Sequence, residues 1–186
     1  MSPSVFRTGD QKHRGYVDSW VRADVSNRYR YALCRVWNAE LQRIMFIGLN
    51  PSTADEHRDD PTLRRCLGFA KAWGFGSLFM LNIYAYRATD PRELATAPDP
   101  VGTENLRWLK HYHFHESNKT VAAWGSQYGI DDHLAKVLSL RRNGDTEGET
   151  MGDNLWCLGV NNDGSPRHPL YIKADTELVR YCKQWY

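Results

Sequence analysis

The sequence predicts an α/β protein, with a mostly parallel central sheet of about four strands flanked by helices in three layers and an antiparallel edge strand near the N-terminus. Three observations carry that reading. Short apolar runs at 44–47, 78–81, 120–124 and 155–158 each end at a glycine or an asparagine. Segments with helical spacing separate those runs. Small and polar residues cluster directly after each run, in GLNPSTAD, NIYAYR, WGSQYG and VNNDGSPRHPLY.

Residues 1–28 are polar and turn-rich and read as a peripheral lead-in to a single domain spanning 1–186. Residues 29–37 (YRYALCRVW) partly alternate between apolar residues and arginines, as an edge strand does. Ile44 to Ile47 reads as a buried strand stopping at Gly48. Asp60-Pro61 then offers an acidic N-cap and a proline at the first helical position. Leu63, Cys66, Leu67 and Ala70 recur at i, i+3, i+4 and i+7, giving one buried helical face that Gly74 and Gly76 terminate.

Leu78 to Leu81 is the second buried strand and closes on Asn82. Thr89-Asp90-Pro91 starts a short helix, and a longer one is expected from Gly102 to about His113. Thr120 to Trp124 is the third strand, cut by Gly125. A helix is expected over 130–142, and 143–153 reads as a polar loop. Leu155 to Leu158 is the fourth strand, and 173–186 reads as a terminal helix.

The 186 residues suit one domain with a sizeable core, being 41% apolar and 25% charged. A formal net charge of +2 argues neither for nor against nucleic acid. The four cysteines, Cys34, Cys66, Cys157 and Cys182, form no CxxC pair and read as buried free thiols. The chain shows no signal-peptide pattern and no apolar run of membrane-spanning length, so a cytoplasmic protein without a membrane partner is expected.

In parallel sheets ligands bind beyond the carboxyl ends of the strands, so the four loops are expected to form one cleft. Gly48 permits close approach of a ligand to the backbone, and Pro51 fixes the turn. Asn50 carries both donors and an acceptor, although Asn-Pro is also an ordinary turn pair. Asn82 must find partners at the end of a buried strand, in the backbone or in a ligand. Arg87 can reach an anion or lie on the surface. His168, between Arg167 and Pro169, can donate a hydrogen bond, move a proton or serve as a turn residue.

His111, His113 and His115 alternate but follow a helical pattern, where residues two apart do not share a face, so no metal site is expected. Asp59-Asp60 reads as helix capping. P-loop, GxGxxG, HExxH and GxSxG motifs are missing from the sequence, and no cofactor is expected.

The stretch from FIGLNPSTADEHRDDPTLRRCLGFAKAWGFG through NIYAYRATDP to DGSPRHPLY resembles a bacterial and phage family, domain of unknown function 1643, a resemblance that implies no activity. More distantly, the strand-end motifs resemble, in order, those of the uracil-DNA glycosylase superfamily. Gly48-Leu49-Asn50-Pro51 is similar to the motif whose acidic or amide residue positions the attacking water. Leu81-Asn82-Ile83 is similar to the segment whose asparagine reads the edge of a flipped base. Ala123-Trp124-Gly125-Ser126 is similar to the LLWGS strand end. Arg167-His168-Pro169-Leu170 is similar to the HPSPL loop, whose histidine bonds the base oxygen and whose leucine enters the duplex.

That resemblance implies a uracil-DNA-glycosylase-like fold and a hydrolase acting on a flipped pyrimidine, plain or modified, in DNA repair or phage DNA modification. Asn50 and His168 would be catalytic. Gly48, Pro51, Ser52, Asn82, Tyr84, Trp124 and Gly125 would hold the substrate, with Tyr84, Tyr86 or Trp124 stacking on the base. Arg87 and Arg167, with Arg64 and Arg65, would hold phosphates. Asn50 stands where the fastest members carry aspartate. Ser52 stands where strict uracil enzymes carry a tyrosine that excludes a 5-methyl group. His168 is followed by Pro-Leu rather than Pro-Ser. The alternative is a non-catalytic protein of the same fold that binds a nucleotide or nucleic acid.

Overall fold

A computed structural model describes residues 6–8, 15–52, 54–55, 57–126, 131–142 and 147–181. Its strands are β1 (Phe6–Thr8), β2 (Asp18–Ala23), β3 (Arg30–Val36), β4 (Arg43–Gly48), β5 (Ser77–Asn82), β6 (Lys119–Ala122), β7 (Leu155–Cys157) and β8 (Val179–Arg180). They form one eight-stranded sheet in the order β1-β2-β3-β5-β4-β6-β7-β8. The four apolar runs make its parallel centre, β5-β4-β6-β7. Antiparallel strands extend that centre on both sides, so antiparallel pairings outnumber parallel ones across the whole sheet. The expected mostly parallel sheet is therefore half of a larger mixed one.

Two N-terminal expectations are corrected. Residues 30–36 are an interior strand, paired with β2 on one side and β5 on the other. The arginines that gave the segment its edge-like pattern are both buried, Arg35 within a polar network and Arg30 against one backbone carbonyl, Ala54 O. Arg35 pairs with Asp59 at 2.9 Å and also donates to Ser19 Oγ. Residues 18–23, within the supposed lead-in, supply β2 with its buried Ser19, Trp20 and Val21. The chain also ends differently from its helical expectation, since Val179–Arg180 pairs with β7 and 173–178 is not helical. Leu178 and Tyr181 pack against opposite core clusters, as residues three apart do on an extended chain but not on a helix. The expectation over 182–186 lies outside the described residues.

Helix α1 (Pro61–Ala72) covers one face of the sheet and helices α2 (Asn105–His111) and α3 (Asp131–Leu138) the other. Asp60 caps α1, accepting from the backbone N–H of Leu63 at 2.7 Å, a contact worth about 1 kcal/mol. Its neighbour Asp59 is no cap, because Arg35 and the Tyr16 hydroxyl take its carboxylate. Leu63, Cys66, Leu67, Phe69 and Ala70 form the buried face of α1, each large side chain contributing roughly 2 kcal/mol on burial. Asp90 caps a 3-10 turn over Pro91–Ala95 through a capping box with Glu93.

α2 starts three residues later than expected and runs into a π-helical turn, Tyr112–Glu116. There His113 points inward to Thr120 Oγ1 at 2.9 Å while His111 sits near His115, so the three histidines do not converge. Among the described residues no group of histidine, cysteine and acidic side chains is placed to hold a metal, and no helix is long and apolar enough to cross a membrane. Cys34, Cys66 and Cys157 are buried and form no disulfide among the described residues; Cys182 lies outside them.

Candidate functional site

Parallel pairing brings the carboxyl ends of the central strands level. Gly48 is the register partner of Asn82, Ile47 of Ala122, and Ala122 of Cys157. The loop after β5 then zips onto the loop after β4. Ile83, Tyr84 and Ala88 donate their backbone N–H groups to the carbonyls of Gly48, Leu49 and Pro51 at 2.9–3.0 Å. A cavity of about 350 Å³ opens at these ends, within the usual range for small-ligand sites. Gly48, Asn50, Ser52, Asn82, Trp124 and His168 line it, together with Arg30, Asp60, Thr62, Met80, Leu170 and Tyr171.

Asn82 is 1% exposed, yet neither its Nδ2 nor its Oδ1 has a hydrogen-bond partner among the described residues. Leaving a buried polar group unpaired costs about 1–3 kcal/mol. The backbone at the same position is held firmly. Asn105 of α2, itself fully buried, donates to the carbonyls of Asn82 and Ile83 at 3.1 and 2.8 Å. His133 of α3 contacts the Ile83 carbonyl at 2.9 Å and stacks on Tyr84. The strand end is thus fixed from behind while its amide faces the cavity with both functions open.

Asn50 is tied down through its nitrogen, which donates to Ala88 O at 2.7 Å and Pro51 O at 3.2 Å. Its oxygen remains as an acceptor of fixed orientation. His168 caps the 3-10 turn Pro169–Tyr171, its Nδ1 accepting from the Leu170 N–H. Burial pushes its pKa down, against a smaller upward pull from Asp60. With Nδ1 accepting, the neutral ring that burial favours is assigned its proton on Nε2, which makes Nε2 a hydrogen-bond donor. Gly125, at φ +76°, lets the histidine sit close, since a Cβ there would approach His168 Cβ at 3.2 Å.

Trp124, buried at 1% exposure, belongs to the cavity lining and sits edge-on to Tyr181 at 5.6 Å. A second cavity of about 630 Å³ adjoins the first through Trp124, His168 and Tyr171 and reaches Gly125, Ser126, Asn161 and Arg167. At the rim Leu170 and Tyr171 stand 42% and 85% exposed.

Other sequence candidates lie apart from the cavity wall. Pro51 is buried and serves the loop through its carbonyl. Tyr84 is a core residue under His133, so it does not offer a free ring face. The Arg87 Nη1 lies 3.5 Å from the Ala54 carbonyl, inside the first loop. Arg64 and Arg65 bond the carbonyls of Asp59, Pro169 and Ile172. Arg167 borders the second cavity while its Nε donates to Val160 O at 3.1 Å.

Arg30 was not legible in the sequence. It is 2% exposed, lines the cavity, and spends one N–H on Ala54 O at 2.6 Å. Strict alternation would set it on the face of Ala32 and Cys34, away from the cavity. A β-bulge opposite Arg22 and Ala23 reverses the alternation, pairing Arg30 with Ala23 and turning it to the α1 side.

A family model described as Protein of unknown function (DUF1643) matches residues 30–170, a span that holds the whole site except Tyr171. No curated protein and no solved structure matches the chain.

Proposed function

The chain belongs to the family described as Protein of unknown function (DUF1643), and we propose that its cavity receives a flipped pyrimidine nucleotide and releases the base by hydrolysis of the N-glycosidic bond. The observation that carries this reading is the open amide of Asn82. A donor and an acceptor side by side, buried and unpartnered, match the donor–acceptor edge of a pyrimidine. Desolvation makes the match selective, because a ligand lacking that edge leaves the amide unpaired.

The other groups have complementary parts. The Asn50 oxygen, oriented by the Ala88 and Pro51 carbonyls, accepts from a water beside the sugar carbon. As that water's oxygen bonds C1′, the bond from C1′ to the base nitrogen breaks and its electron pair leaves with the base. His168 Nε2–H stabilises the anion by donating to a base oxygen. An amide does not take up a proton at neutral pH, so the water's proton passes to solvent and hydrolysis is slower than with a carboxylate. Leu170 and Tyr171, apolar and exposed at the rim, suit insertion into a base stack.

That same amide favours a second reading, a pocket that binds the base without cleaving it. One experiment separates the two. Oligonucleotides carrying uracil, mismatched thymine and 5-substituted pyrimidines are assayed for abasic sites and for binding, with wild type and Asn82→Leu. Hydrolysis is expected for at least one base, lost in Asn82→Leu while its melting temperature stays level or rises. Binding without abasic sites selects the second reading. Base-independent behaviour in both proteins overturns both.

A further inference from the structure

We propose that Arg30 is an anion-binding residue of this cavity and that the ligand enters carrying a phosphate, which the Arg30 guanidinium grips from inside the pocket. This inference deepens the nucleotide reading above, and its test fails separately from it.

Arg30 makes no ion pair among the described residues, and its Nε has no hydrogen-bond partner. None of the described acidic groups nearby pairs directly with its guanidinium. Asp59 is held by Arg35 and Tyr16, Asp60 Oδ1 by the Leu63 N–H, and Asp55 Oδ1 by the N–H groups of His57 and Arg58. Its one bond goes to a carbonyl, Ala54 O, that Arg87 also approaches. Burial, and next the neighbouring charge of Arg87, lower the Arg30 pKa to about 9 against smaller upward pulls from Asp60 and Asp55, which still leaves it protonated at neutral pH.

A buried cation without a direct ion pair is unfavourable, and an anion brought by a ligand relieves that cost. A planar guanidinium with open N–H groups suits the paired oxygens of a phosphate. Its place in the wall, rather than on the rim, means that the anion comes in with the ligand. The bulge adds weight, because the irregular register is what turns Arg30 to this face. The shared chemistry is a phosphate next to a base, supplied by a free nucleoside monophosphate or by a phosphodiester of a flipped residue.

The test uses the whole chain and Arg30→Met, which keeps the apolar stem. At constant ionic strength, inorganic phosphate is expected to raise the melting temperature of wild type and leave Arg30→Met unmoved. Without phosphate, Arg30→Met is expected to melt at or above wild type, since it removes a buried charge that has no direct ion pair. Deoxyuridine, deoxyuridine 5′-monophosphate and a five-nucleotide single strand containing uracil are then titrated. At least one phosphate-bearing ligand is expected to bind tenfold or more tighter than deoxyuridine, with that factor erased in Arg30→Met. The tighter of the two names the source.

Equal phosphate shifts in both proteins, or no shift in wild type, overturn the proposal. So does a lower melting temperature of Arg30→Met combined with an unchanged phosphate response, which assigns Arg30 to holding Ala54. If phosphate binding depends on Arg30 while uracil, thymine and unrelated bases bind alike, the anion site stands and the pyrimidine reading falls.

Discussion

Gly48 and Asn82 face each other at the last rung of the ladder between β4 and β5, and a Cβ built on Gly48 would lie 2.8 Å from Asn82 Oδ1. The missing side chain at one position is therefore what gives the amide at the other its place in the cavity. Gly48→Ala sets its methyl against both Asn82 Oδ1 and Met80 Cε, each at 2.8 Å. Met80 has a flexible end that can move, whereas Asn82 sits on a strand whose backbone Asn105 pins. The variant is expected to lose about 1–3 kcal/mol of stability and at least tenfold in ligand affinity, read by denaturant melts and titration. Unchanged affinity would show that the amide position does not matter to binding.

Asn50 couples structure to the proposed chemistry. Asn50→Ala removes two bonds to carbonyls and is expected to cost about 1–2 kcal/mol, more than a plain surface loop change. Asn50→Asp turns a carboxylate toward the Pro51 and Ala88 carbonyls and is expected to melt lower still. If it folds, its carboxylate can accept the water's proton, and base release per folded molecule is expected to exceed that of wild type. Melting curves paired with abasic-site assays decide the point. An Asn50→Ala protein with full hydrolysis would remove Asn50 from the reaction.

Ser52 lines the same cavity, two residues beyond Asn50. A tyrosine at that position fills space next to the bound base. Ser52→Tyr is expected to reduce turnover or binding of 5-substituted pyrimidines at least tenfold relative to uracil, because rejection by clash leaves no low-energy pose. The measurement is the ratio of the two substrates in each protein. An unchanged ratio would place Ser52 away from the 5-position.

His113 supplies a stability switch unrelated to the cavity. Burial first, and then the charge of Arg142, lower its pKa to about 4 from an ordinary 6.5. The native state thus holds the ring neutral while the unfolded chain takes up a proton below pH 6.5. Stability is full above that value and falls as pH drops from about 6.5 to about 4, by roughly 3 kcal/mol for the whole shift. His113→Gln, which keeps a polar partner for Thr120, is expected to flatten that part of the pH–stability curve. Denaturant melts between pH 7 and pH 4 measure it. A curve as steep in the variant as in wild type would assign the acid sensitivity to other groups.

The parallel centre of the sheet was readable because its strands are short apolar runs with turn residues at fixed places. The Asp60 and Asp90 caps were readable for a similar reason, being local chemistry between residues three apart. The placing of Gly48, Asn50, Asn82, Trp124 and His168 around one cavity followed from the rule that parallel strands end together. Asp59 and Arg35 were not readable, since their pairing joins residues 24 positions apart, and an acidic pair before a helix looks like capping alone. β2 and β8 were missed because each is held by partners distant in sequence rather than by a strong pattern of its own.

By itself, then, the sequence determined the alternation of central strands and helices, the caps, and which polar residues stand at the strand ends. Each of these depends on interactions within a few residues. Only the tertiary structure decided that Asn82 is left without partners, that Asn50 spends its nitrogen on Ala88, and that Arg30 faces the ligand cavity. Those outcomes depend on what arrives from elsewhere in the chain. Period-two alternation assigns a side chain to one face or the other, and a single inserted residue reverses that assignment. The bulge at Arg22 and Ala23 belongs to the pairing of two strands, so neither strand's sequence alone contains it.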